Sequence, residues 1–371
     1  MLRQRKTPSS APPSQPTNAV TNAKEPRPST AKVWMLAARP HTLTASIAPV
    51  LVGWALVNHY SQTNKNKNTD TNINIHTIAI LFGAFACLIQ LGTNLHNDYA
   101  DFIKGADTDT RVGQARATQK GWLTPFQTAA GSTLCLIIAA SLGVTLTGMT
   151  GRWNDPYMVF VTITSVFNAV CYTGGPYPLG YIGLGHLSIG YSGLGDLFVF
   201  LYFGLVATIT VPYIYITREM QGVESTGTMD VFRHELFVTS LCVALPVGFL
   251  GTGIIVVNNL RDRMTDIKVG KNTLAVKFGE TFTRIEYMVL VIGSYLMLIP
   301  LSSLDVLQGG STISTYRLYL PLLSFPLARK ELTAMGFGGK DGAALNQHVG
   351  GTAKVQLLFC VLFIIGLRLS S

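Results

Sequence analysis

The chain has 371 residues, of which 48% are hydrophobic and only 13% are Asp, Glu, Lys or Arg, against about 25% charged in an average soluble domain. With a mean hydropathy of +0.34, too little charge remains to cover a soluble surface. That excludes a soluble multidomain protein, a largely disordered chain, a fibrous repeat and a small disulfide scaffold.

Residues 1–32 are a separate region, rich in Pro, Ser and Thr, with six basic residues and one acid, Glu25. They contain no apolar core of a secretory signal. The segment reads as a disordered tail or as an organelle transit peptide, and 33–371 reads as one membrane domain. Nine apolar runs follow, near 41–59, 76–100, 126–148, 156–173, 195–216, 235–260, 285–301, 316–328 and 350–368. A spanning helix needs about 20 such residues, and the fourth and eighth runs are short. The expected fold is therefore an all-α bundle of about nine transmembrane helices, embedded in the lipid bilayer. Two connections stand out: the Asn-rich segment 61–74 and the polar linker 220–232. The five cysteines, Cys87, Cys135, Cys171, Cys242 and Cys360, each lie in an apolar run, as small buried hydrophobes do.

The cations fit this map. With nine spans, 21 of the 28 Lys and Arg fall on the side of the N-terminal tail and of the loops after spans 2, 6 and 8. That asymmetry is what the positive-inside rule expects. The formal charge of +9 thus reflects topology and tail, and implies no nucleic-acid partner.

Acids are scarce, so their clustering is informative. One cluster, TNLHNDYADFIKGADTDTR (93–111), carries Asp98, Asp101, Asp107 and Asp109; the other, NNLRDRMTDIKVGKNT (258–273), carries Asp262 and Asp266. Each begins where an apolar span ends, on the same expected side. If the spans continue as helices, Asn94, Asp98 and Asp101 share one face, as do Asn258, Asp262 and Asp266. Carboxylates this close repel and are costly at a membrane boundary. Hard oxygen donors of this kind suit Mg²⁺, whose remaining positions a diphosphate completes. Arg111, Arg116, Lys120, Arg261 and Lys271, in the same loops, would balance the remaining charge. The plainer reading is solvated loop carboxylates paired with neighbouring bases; two matched clusters favour the binding site. Asn97 and Asn259, beside the motif residues, join the candidate substrate contacts. Arg39 and His41 precede span 1 and read either as contacts to an anionic substrate or as an interfacial anchor. Tyr172 and Tyr177 read either as rings shielding a cation or as part of an interfacial belt. His96 falls on another helical face and reads as packing.

These residues resemble the UbiA superfamily of intramembrane prenyltransferases, from residue 33 to about 368. The resemblance implies nine helices and two Asp-rich motifs that bind Mg²⁺ and a prenyl diphosphate, carried here by Asn94, Asp98 and Asp101 and by Asp262 and Asp266. The chain is most similar to the 1,4-dihydroxy-2-naphthoate prenyltransferase (MenA) branch. The segments that carry this are ARPHTLTASIAPVLVGWAL (38–56), NDYADFIKGADTDTRVGQARATQKGWLTP (97–125), YTGGPYPLGYIGLG (172–185), GDLFVFLYFGLVA (195–207), NNLRDRMTDIKVGKNTLAVKFG (258–279) and TAKVQLLF (352–359). The implied activity is transfer of a phytyl or polyprenyl group from its diphosphate to 1,4-dihydroxy-2-naphthoate, with loss of CO₂ and diphosphate, in menaquinone or phylloquinone biosynthesis. Asp98, Asp101, Asp262 and Asp266 would hold the metal. Another aromatic acceptor, such as 4-hydroxybenzoate or homogentisate, and an ion transporter are the alternatives. A non-catalytic scaffold is disfavoured by the intact Asp motifs. The tail and the Asn-rich loop suggest an organelle membrane of a eukaryote, with a plastid favoured and a mitochondrion or the ER as alternatives. One departure is visible: GYIGLGH (180–186) is followed by GYSGLGD (190–196), a tandem duplication that puts His186 and then Asp196 in the slot where the family has one acid.

Overall fold

The computed structural model describes residues 28–64, 74–105, 112–113, 116–174, 193–221, 228–308 and 316–370. All regular structure among them is helical. The principal helices are α1 (Thr30–Ala38), α2 (Leu43–Thr63), α3 (Ile75–Ile103), α4 (Pro125–Met149), α5 (Pro156–Cys171), α6 (Gly195–Glu219), α7 (Glu235–Lys268), α8 (Leu274–Leu301), α9 (Phe325–Met335) and α10 (Asn346–Ser370). Residues 1–27, most of 61–74 and most of the duplicated segment 180–196 lie outside the described residues.

Six of these helices are long and apolar enough to cross a membrane: α3, α4, α6, α7, α8 and the α10 region. The pair α1 and α2, bent by 59°, makes a seventh if counted as one span. This is an integral membrane protein. The expected nine spans do not all appear as long apolar helices. α5 is 16 residues, about 24 Å at 1.5 Å per residue, which is short for a bilayer core. The run at 316–328 is divided between a 3-10 turn, Leu320–Ser324, and the start of α9. Pro321 and Pro326 each remove a backbone donor there, so one continuous helix does not form.

Helix starts follow local chemistry. The Asn74 side-chain Oδ1 accepts from Thr77 N (3.0 Å) at α3. Thr124 and Gln127 form a reciprocal capping box ahead of Pro125 at α4. Asp155 caps α5 through Met158 N, and Thr273 caps α8 through Val276 N.

α7 is the central element. Two-thirds of its most apolar stretch (67%) is buried by protein, against 22% in α3 and 28% in α4. It packs on α6, α8 and α10, while α2 lies against α6 and α10. Glycine permits the closest crossing: a Cβ on Gly204 would stand 2.5 Å from the Gly248 Cα, so α6 and α7 touch backbone to backbone. α6 is wound as a π-helix over Phe200–Val206 at this point.

Both acidic clusters are carried on helices that outrun their apolar segments. α3 runs on to Ile103 and α7 to Lys268, so each motif is a helix end. The α1–α2 turn and the starts of α6 and α10 come to the same end of the bundle.

Candidate active site

The α3 motif is buried. Asn94 is 4% exposed, Asp98 0% and Asp101 1%. Such carboxylates are stable only when paired and hydrogen-bonded, and the pairing comes from three other segments. Arg39 Nη2 donates to Asp98 Oδ1 at 2.7 Å, with Arg116 Nε 3.5 Å from the same oxygen. The Ala117 backbone N–H donates to Asp98 Oδ2 (3.1 Å). Arg116 Nη2 pairs with Asp101 Oδ2 at 2.7 Å, and its Nη1 donates to the Asn97 carbonyl. Lys271, beyond the end of α7, donates to Asp101 Oδ2 at 3.2 Å. That bond joins two motifs 170 residues apart in sequence.

Arg39 reaches Asp98 because of its backbone. It is the one non-glycine residue with positive φ among the described residues (φ 52°, ψ 60°), and the following Pro40 disfavours the right-handed helical region at this position. The Asn94 amide holds the turn, donating to Ala38 O (2.9 Å) and Thr42 Oγ1 (3.0 Å). Gln90 Nε2 donates to Asn94 Oδ1 (3.1 Å) and Thr42 Oγ1 (3.2 Å). In this arrangement Asn94 shapes the Arg39 turn rather than facing the open site.

The α7 motif is built locally. Asp262 is 15% exposed and pairs with its neighbour Arg261, whose Nε donates to Asp262 Oδ1 at 2.8 Å. Arg261 also donates to Asn258 Oδ1 (2.7 Å) and Asn346 Oδ1 (3.2 Å). Asn346, at the start of α10, donates to Val112 O (2.9 Å), tying the loop after α3 to the α7 motif. Asp266 is buried at 8%. Asn259 faces α6, its Nδ2 lying 3.2 and 3.3 Å from the two Asp196 carboxylate oxygens.

Tyr172, just beyond α5, lies within electrostatic reach of Asp196, Asp266 and Asp101, and so between the two motifs. Burial, and then these three carboxylates in that order, push its pKa up, so the phenol stays protonated. The Asn97 side-chain oxygen accepts from Thr173, and Lys104 donates to Thr173 O. Lys120 is exposed on the turn before α4. Arg111, Asp107, Asp109, Tyr177 and His186 lie outside the described residues, as does the His41 side chain.

The profile of the UbiA prenyltransferase family matches residues 46–329. The chain belongs to that family. A 1,4-dihydroxy-2-naphthoate octaprenyltransferase of Escherichia coli is 29% identical over 346 residues, covering 91% of this chain and 96% of the relative. One from Mycobacterium tuberculosis is 31% identical over 254 residues, covering 68% and 72%. The human UbiA prenyltransferase domain-containing protein 1 is 25% identical, covering 91% and 83%. Among solved structures, the apo UbiA homologue of Aeropyrum pernix superposes with a TM-score of 0.56 at 13% identity, covering 88% of this chain and 98% of that one. A homologue from Archaeoglobus fulgidus, solved with DMAPP and Mg²⁺, gives 0.50 at 11%, covering 90% and 99%. These place the fold. The protein is a membrane-embedded prenyltransferase of the UbiA family.

The donor set of this UbiA protein suits a hard divalent cation: two carboxylate pairs on two helix ends, joined by Lys271. No group of three or more His, Cys, Asp or Glu is close enough to hold a metal among the described residues. Arg39, Arg116 and Lys271 occupy the oxygens of Asp98 and Asp101. Sequence reasoning missed Asn346. It lies outside both motifs, and no spacing rule links it to Arg261. It also missed that Asp196, not only the Asp motifs, is buried beside Asn259.

Proposed function

We propose that the protein transfers a prenyl group from an allylic prenyl diphosphate to 1,4-dihydroxy-2-naphthoate, releasing diphosphate and CO₂, as a step towards menaquinone or phylloquinone. The observation that carries this reading is the pairing of two acidic helix ends, α3 and α7, across the Lys271–Asp101 bond (3.2 Å) and amid three cationic side chains. A transport pathway would set its acids along a span rather than at one end beside basic loops. The names of the bacterial relatives support the choice of acceptor.

In this reading Asp98, Asp101, Asp262 and Asp266 hold Mg²⁺. When bound, the ion neutralises charge on the departing diphosphate. The remaining work belongs to the chain. Arg39, Arg116 and Lys271, released from the carboxylates, turn to the phosphate oxygens, where a preorganised cation is worth most as negative charge develops. Arg261, held by Asn258 and Asn346, supports the same charge from the α7 side, and Arg111 and Lys120 complete the basic rim. The neutral Tyr172 offers its ring face to the allylic cation. The apolar helices below exclude water, which would otherwise capture that cation. The 33–371 region acts as one catalytic domain. The organelle assignment gains no support from the relatives, which include bacterial proteins over nearly the whole chain.

Membranes containing the protein test this reading. With Mg²⁺ and either phytyl or polyprenyl diphosphate, 1,4-dihydroxy-2-naphthoate is expected to give a prenylated naphthoquinol and CO₂. Turnover of 4-hydroxybenzoate or homogentisate with none of the naphthoate would overturn the acceptor assignment.

A further inference from the structure

Asp196 is the second copy of the duplicated acid slot, and it is only 4% exposed. Its carboxylate receives the single Asn259 amide nitrogen, at 3.2 and 3.3 Å, and among the described residues no Lys, Arg or His pairs with it. That is unlike Asp98 and Asp101, where burial is matched by guanidinium and ammonium groups. A buried carboxylate without a counter-cation is costly to keep ionised, and an ionisable group inside a membrane protein marks function by default. The surroundings add another acid rather than a base: Glu286 of α8 lies within electrostatic reach of Asp196.

Its position is specific. Asn259 precedes Asp262 by three residues on α7, so it lies about 4.5 Å further towards the membrane along the axis. Asp196 therefore sits one helical step below the carboxylates assigned to the diphosphate. A Cβ built on its neighbour Gly195 would stand 3.3 Å from the Tyr172 hydroxyl, which places this wall against the ring between the two motifs. The reacting allylic carbon hangs on the membrane side of the phosphates. In the prenyl-transfer reading, an acceptor ring attacking that carbon would lie on the side of Asp196.

We propose that Asp196, oriented by Asn259, is the proton acceptor for a ring hydroxyl of the aromatic acceptor. This rests on the prenyl-transfer reading above and adds the acceptor side of the site. As the ring carbon forms its bond to the allylic cation, the ring O–H bond breaks. Its electron pair enters the ring to give a keto adduct whose remaining negative charge is the acceptor's own carboxylate, and the proton passes to a carboxylate oxygen of Asp196. Enolisation of the attacked ring C–H restores the hydroxyl. The carboxylate then leaves as CO₂, and the carbon it vacates takes the proton that Asp196 held. Protons and charge balance, with no oxidant or reductant. The ligand class is a phenolic or naphtholic ring rather than a second phosphate, because the groups that meet here are the Asp196 carboxylate and the Asn259 amide, and among the described residues no cation pairs with Asp196.

The test separates donor ionisation from carbon–carbon bond formation. Prenyl diphosphate carrying ¹⁸O at the bridging position reports ionisation by scrambling the label into non-bridging positions, while prenylated naphthoquinol reports bond formation. In Asp196→Asn, which keeps the size and the ability to hydrogen-bond, product formation is expected to fall about 10²-fold or more, with scrambling within about threefold of wild type and unchanged thermal unfolding. Asn259→Ala is expected to give the same split with a smaller loss. Full product formation in Asp196→Asn would overturn the proposal and leave Asp196 a helix-start acid. So would product and scrambling falling together. Failure of the underlying reading looks different: wild type itself would not scramble the label, or Asp98→Ala would scramble normally.

Discussion

The two acidic helix ends carry similar residues in opposite settings. At the end of α3, Asp98 and Asp101 are almost fully buried and are neutralised from the α1–α2 turn, the loop before α4 and the loop after α7. At the end of α7, Asp262 is partly exposed and its bound cation is the adjacent Arg261. One motif is a junction of the fold; the other is a local pair. Removing a partner from a buried junction strands charge from several segments, whereas Arg261 keeps Asn258 and Asn346 as acceptors when Asp262 is lost. A shared role in catalysis with unequal roles in folding is what the difference teaches.

The sharpest break of that comparison is Asp98→Ala against Asp262→Ala. Asp98→Ala leaves Arg39 and Arg116 without their common partner and is expected to cost about 3–5 kcal/mol, read as a shifted denaturant midpoint in detergent. Asp262→Ala should cost clearly less, because Arg261 keeps its bonds to Asn258 and Asn346. Equal losses would erase the distinction. Arg116→Ala comes next, since one side chain serves both Asp98 and Asp101. Its expected cost is about 3 kcal/mol, with a raised KM for the prenyl diphosphate.

Asn94→Ala sharpens the comparison from a neutral residue. It removes two donated bonds to the α1–α2 turn, for about 1–2 kcal/mol in all. It should lower activity through a misplaced Arg39, so that Arg39→Ala and the double variant behave alike. Additive losses in that cycle would show that Asn94 acts elsewhere. Lys271→Ala is the smallest effect. Its side chain is 18% exposed, and Asp101 keeps Arg116 when Lys271 is lost, so the expected stability loss is about 1 kcal/mol, with a severalfold rise in the donor KM.

Much of this was legible in the sequence where periodicity carries information. The i, i+4 spacing of Asn94 with Asp98, and of Asn258 with Asp262, holds because α3 and α7 continue through both motifs. Most of the long apolar runs became helices near their expected limits, but α7 runs on to Lys268 instead of ending near 260, and α8 begins at Leu274 instead of near 285. The run at 316–328 did not, because Pro321 and Pro326 divide it between a 3-10 turn and α9. The counter-ions were legible as residue types but not as pairs. Arg116 and Lys271 were candidate charge-balancing residues, yet only the folded chain shows them both on Asp101. Arg39 was open between anchor and contact. The left-handed turn before Pro40 points it at Asp98, and the sequence hint was the proline itself. Asn94 was grouped with the substrate contacts because it shares a face with Asp98, whereas its amide is spent on Ala38 and Thr42.

The central claim is that these two unlike helix ends form one diphosphate site. The most direct test is donor-diphosphate release in membranes bearing Asp98→Asn or Asp262→Asn, with protein amount matched and 1,4-dihydroxy-2-naphthoate supplied. The account predicts that each substitution alone lowers release by about 10³-fold or more, although only the first disturbs folding. Release within tenfold of wild type in either one would contradict it.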